Sequence, residues 1–149
     1  MRRTLFLPLA CALAVSAAGC GAGGGVSEGA TVRVYVSGKS LCKGARDELN
    51  SSNERAGSFR VRMICLDDRG TLEATGANAR RATEDSSSVA YVTESDPSQA
   101  SFSRSILDAA NITQLVSVSG AAAMGDLLRA IRQASDESDL RQSVYEVLG

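Results

Sequence analysis

Hydroxyl side chains cluster where the chain turns from strand to helix, and these are the residues best placed to do chemistry. Ser37 follows one β-branched run, Thr93, Ser95 and Ser98 follow a second, and Ser117 and Ser119 follow a third. Such groups, together with helix N-terminal N–H groups, can take up the carboxylate of a small zwitterion, helped by the helix dipole. The competing reading is that Ser98 and Ser119 merely cap the helices after them. Other constellations carry less. Gly38-Lys39-Ser40 looks like the end of a phosphate-binding loop, but that motif needs glycine where Arg33 stands. Asp67-Asp68, and Glu94 with Asp96, read as turn caps rather than catalytic carboxylate pairs. Histidine is absent, which excludes Ser-His-Asp and Cys-His catalysis and any His-ligated metal. No enzyme, cofactor or metal site is expected.

A second chemical feature lies at the amino end. Arg2 and Arg3 precede an apolar run from Leu5 to Ala18, followed by Gly19-Cys20. Small residues directly before a cysteine resemble the bacterial lipobox, in which that cysteine is acylated and becomes the first mature residue. About 14 apolar residues at ~1.5 Å rise span roughly 21 Å, short of the ~30 Å membrane core, so the run reads as an export signal rather than an anchor. Export by the general or the twin-arginine route remains open. The expectation is a signal peptide over residues 1–19, then lipidated Cys20 and a Gly-rich tether over 20–30. A single lobe over 31–149 is then held by its lipid at the extracytoplasmic face of the membrane. With Cys11 removed and Cys20 acylated, Cys42 and Cys65 remain. An even pair in an oxidising compartment favours a disulfide, the alternative being two buried thiols.

Loss of Arg2 and Arg3 from the 16 basic residues leaves 14 against 17 acidic ones, a net charge of −3. This balance argues against nucleic acid as a partner, as does the lack of a basic patch interleaved with aromatics. The remaining length suffices for one domain that buries roughly 65 % of its unfolded surface.

The elements that must position these side chains alternate. Thr31 to Val36, Phe59 to Leu66, Ser88 to Val92 and Thr113 to Val118 read as strands. Between them lie helices: Leu41, Ala45 and Leu49 behind Ser40 as N-cap; Thr71 to Asp85, with Leu72, Ala79 and Ala82 on one face; and Ser98 to Ala110 through Phe102, Ile106 and Ala109. Two helices follow, one through Met124, Leu127, Leu128 and Ile131, the other through Leu140, Val144, Val147 and Leu148, capped by Ser138. The pattern predicts an α/β, Rossmann-like or flavodoxin-like lobe with a four-stranded parallel sheet flanked by helices. Strict alternation in Phe59 to Leu66 marks an edge strand, giving the order 2-1-3-4. The crevice beyond the carboxyl ends of the first and third strands is then the expected ligand position. Cys42 and Cys65 both fall at that edge.

Several segments carry a family resemblance. Val34-Tyr35-Val36-Ser37, Cys65-Leu66-Asp67-Asp68, the run Gly76 to Asp85, Val89-Ala90-Tyr91-Val92, Ile106 to Ile112 and Val116-Ser117-Val118-Ser119 together resemble the first lobe of type I periplasmic binding proteins. The likeness is to the leucine-binding, branched-chain amino-acid receptor lipoproteins of ABC transporters, over about 90 residues. It implies a solute-binding role in amino-acid transport, with the ligand's carboxylate and amine met around Ser98, Ser119 and Ala121, and an ABC permease as partner. No stretch after Gly120 is expected to build the family's second lobe. Instead Ala123 to Ile131 and Asp139 to Val144 resemble its carboxyl-terminal helices. The Pro-rich loop that the family carries after its first strand is missing here. The alternative is a module without a small ligand that binds a protein partner or itself along the same edge.

Overall fold

The computed structural model describes residues 29–94, 96–134 and 139–148. The expected signal segment, Cys20 and nearly all of the tether lie outside them, as do Ser95 and Ser138.

The chain alternates as its patterning predicts. Strand β1 (Thr31–Ser37) is β-branched at Val32, Val34 and Val36, all fully buried. Helix α1 (Lys39–Ser51) buries Leu41, Cys42, Ala45 and Leu49 at helical spacing. A short hairpin follows, in which β2 (Arg55–Ala56) pairs antiparallel with the start of β3 (Phe59–Leu66) through a turn opened by Gly57 at φ 61°. The rest is α2 (Leu72–Thr83), β4 (Ser88–Thr93), α3 (Pro97–Asp108), β5 (Thr113–Val116), α4 (Gly120–Gln133) and α5 (Leu140–Leu148).

The sheet is mixed, with order β2-β3-β1-β4-β5, in an α/β architecture. The four long strands are parallel and stand in the expected order, with β1 between β3 and β4. Strand β2 is the correction. It adds a fifth, antiparallel strand and covers the first residues of β3, so only the remainder of β3 is an edge. Two residues entered through left-handed Asn53 and Glu54 (φ 55° each) leave no periodic trace.

Helices cover both faces. On one, α1, α4 and α5 enclose Val34, Val36, Leu49, Met124, Leu127, Ile131, Leu140 and Val144. Gly44 and Gly120 let α1 and α4 approach backbone to backbone. A Cβ on Gly44 would lie 3.1 Å from the Ala121 nitrogen, and one on Gly120 would fall on the Leu41 carbonyl. On the other face α2 and α3 cover a smaller cluster of Tyr35, Ala79, Ala82, Tyr91, Leu107 and Ile112.

The phase of α3 differs from expectation. Ala100, Ser103 and Leu107 face inward, while Phe102 is 42 % exposed and Ala109 is exposed. Phe102 instead lies across α2, its Cε1 2.9 Å from where a Gly76 Cβ would stand. Leu72 and Val147 are likewise exposed rather than buried.

At the amino edge, Asp85 gathers four donors. Its Oδ1 accepts from the Ser87 hydroxyl at 2.6 Å and the Ser87 amide at 3.0 Å, and its Oδ2 from the Tyr35 hydroxyl at 2.7 Å and Arg33 Nη1 at 3.0 Å. Burial alone would raise its pKa, but Ser87, Tyr35 and Arg33 outweigh it and hold the carboxyl at about 2.

Candidate functional site at the carboxyl edge

Strand order brings the loops after β1 and β4 side by side, since β1 sends α1 to one face and the chain reaches β4 from α2 on the other. Most hydroxyls expected to line this rim have other work. Ser37 ends β1 almost fully buried, its Oγ 3.4 Å from Asn78 Nδ2, which also donates to the Asp67 carbonyl at 3.0 Å. Close to Ser37 lies the buried phenol of Tyr91. Burial raises that phenol's pKa and the charge of Asp68 adds to the rise, while Ser37 opposes it. Thr93 ends β4 fully buried, and its carbonyl accepts from the Ser117 amide at 3.0 Å. Ser37 and Thr93 therefore form the floor of the rim.

The loop serines turn inward on their own backbone. Ser98 Oγ donates to Asp96 Oδ1 at 2.6 Å, and Asp96, not Ser98, caps α3 by accepting from the Ser98 and Gln99 amides at 2.9 and 3.0 Å. These bonds, the Ser98 hydroxyl foremost, hold Asp96 below the usual carboxylate range. Ser119 caps α4, accepting from the Ala122 amide at 3.3 Å. Ser117 Oγ closes the same loop through the Ser119 carbonyl and amide, at 3.0 and 3.1 Å. Ala121 sits in the first turn of α4 against Gly44. Asp67 accepts from the Arg69 amide at 3.4 Å, the turn-capping role expected of it.

Glu94, which its sequence context marks as a turn cap, is what fills the gap between the loops. Its Oε1 stands 2.5 Å from where a Cβ on Gly38 would be, and Gly38 has φ 113°. Its Oε2 accepts from the Ser40 hydroxyl at 2.6 Å. Ser40 is therefore not the expected N-cap. Gly38 holds that position with no side-chain cap, and the first turn of α1 carries no acidic residue. A helix start without its own counter-charge attracts one. Here the loop after β4 supplies it. The only hint in the sequence is the placement of Glu94 just past a strand end.

Beside this point the disulfide joins Cys42 and Cys65, with Cα atoms 5.8 Å apart and a sequence separation of 23. An open depression of about 440 Å³ lies over it, lined by Lys39, Lys43, Arg46 and Asp47 on α1 and by Leu66 and Asp67. A second, of about 350 Å³, is lined by Arg69, Thr71, Glu73 and Asn78. Among the described residues no group of three or more His, Cys, Asp or Glu side chains is placed to hold a metal ion. No helix among them is long and apolar enough to cross a membrane.

Comparison with family models, curated proteins and solved structures finds no match for this chain.

Proposed function

We propose that the chain is a non-enzymatic recognition lobe of the extracytoplasmic solute-binding kind, lipid-anchored through Cys20, which takes an amino acid or similar amine at the rim between β1 and β4. The observation that carries this reading is Glu94 lying over Gly38 at the junction of the two loops. The start of α1, one of the helix N-termini at this rim that could take up a ligand's carboxylate, already holds one. The group that the rim can receive is an ammonium, for which Glu94 is a ready partner. Ser37 and Thr93 beneath it are buried hydrogen-bonding groups, not surface contacts. A single lobe leaves much of such a ligand wet, where small-molecule sites commonly enclose ~70 to 90 % of it. Weak affinity follows.

Thermal melting with matched compounds tests the proposal. Leucine and its decarboxylated amine should each raise the melting temperature by several degrees at about ten times Kd, equivalent to ~1.4 kcal/mol. The corresponding carboxylic acid without an amine should not, and Glu94→Gln should abolish the response. Absence of any shift with millimolar amino acids or amines would remove the solute-binding reading.

A second reading, self-association along this edge, is favoured by Val116 and Val118. They are 52 % and 101 % exposed at and just beyond the end of β5, the outermost strand of its side of the sheet. Sedimentation velocity distinguishes it: a dimer lost on Val118→Lys, with no response to amines, would replace the first reading.

A further inference from the structure

We infer that the Cys42–Cys65 disulfide is a thiol-exchange site, attacked at Cys65 by an anionic thiol or dithiol, rather than a passive staple. The two sulfurs stand in unlike surroundings. Cys42 is 8 % exposed near the start of α1, packed in the larger apolar cluster. Cys65 is exposed on the open edge of β3. The depression above the bond leaves it approachable from solvent. Lys39, Lys43 and Arg46 follow one another at four and three residues on α1, so they share a face, and that face borders the depression. Asp47 and Asp67 also border it, leaving three cations to two anions. Arg46 Nη2 lies 3.4 Å from Cys65 Sγ.

Exchange needs an accessible sulfur, a field that gathers thiolate, and somewhere for the displaced charge to rest. All three are present. The incoming thiolate sulfur forms a bond to Cys65 Sγ. The Cys65–Cys42 bond breaks, and its electron pair passes to Cys42 Sγ, which shares the lining of the depression with Lys39 and Lys43. If the attacker is a dithiol, its second thiolate then displaces Cys65 Sγ and the attacker leaves as a disulfide, two electrons poorer. Cys42 and Cys65 are left reduced, with Arg46 facing the Cys65 thiolate.

The native full-length protein tests this with mercaptoethanesulfonate and cysteamine, an anionic and a cationic thiol. Their rates are followed by alkylation and mass spectrometry and normalised to the same thiols acting on an uncharged peptide disulfide. The anionic thiol should gain at least threefold over the cationic one, the gain should collapse in molar salt, and the trapped adduct should sit on Cys65. Arg46→Ala should remove most of the gain and Arg46→Lys should keep it, with melting temperatures unchanged because Arg46 is exposed. An adduct on Cys42, equal normalised rates, or reduction only after unfolding in urea would each overturn the inference. No solute is involved, so failure here leaves the recognition proposal untouched.

Discussion

On the face covered by α1, α4 and α5, valines of β1 share one cluster with Met124, Leu127 and Ile131, and α1 meets α4 so closely that Gly44 and Gly120 have no room for a Cβ without displacement. On the face covered by α2 and α3, alanines and two tyrosines make a thinner layer, and side-chain hydrogen bonds share the task of holding it. Gln114 Nε2 donates to Ser103 Oγ at 2.9 Å inside that layer, and Thr75 Oγ1 donates to Gln99 Oε1 at 3.1 Å beside it. Tyr35, from the same layer, reaches Asp85. One face is thus fixed by volume and the other by pairing. Volume is insensitive to pH, whereas the pairing of Tyr35 with Asp85 is not.

Three measurements put that contrast at risk. Leu127 is fully buried in the larger cluster, so Leu127→Ala should lower unfolding free energy by roughly 2–5 kcal/mol in urea titration. A loss below ~1 kcal/mol would mean that the apolar face is not close-packed. Next is Asp85, whose folded pKa of about 2 lies below its ordinary 3.8. The unfolded chain takes up this proton first as pH falls. The stabilisation is therefore complete above about pH 4 and drains away as pH drops toward 2, by on the order of 2 kcal/mol. Stability curves of the wild type and Asp85→Asn should converge over that window, and parallel curves would disprove the pairing. Smallest is Ser103→Ala, which strands the buried Gln114 amide and should cost about 1–2 kcal/mol. Adding Gln114→Met should recover much of it, because the Gln114 Oε1 already lacks a partner.

Wherever side-chain period alone decides an element, the sequence is readable. A β-branched run identifies β1, short apolar runs identify β4 and β5, and alternation in Phe59 to Leu66 identifies β3 and puts it to one side of β1. Leu41, Ala45 and Leu49, like Met124, Leu127, Leu128 and Ile131, point where their spacing says. Polar partners elsewhere override the period in α3. Ser103 is drawn inward by Gln114, eleven residues on, and that rotates Phe102 out over Gly76. The same limit applies to the rim. Ser98 and Ser119 can be placed at the edge from their positions, but whether a hydroxyl faces solvent or its own helix depends on a loop bond spanning two or three residues. Glu94 is obscured for a different reason. Its role depends on α1 lacking a cap, 54 residues away in sequence.

That missing cap bears on selectivity. Because Glu94 rides on the same chain as the helix it serves, any free acid arriving from solution competes with a tethered rival whose effective concentration can reach the millimolar range or higher. Acids would then be turned away at this rim because their seat is already taken. On the proposed solute-binding role no shaped wall is required, and loosening one flexible side chain would change which charge the rim receives.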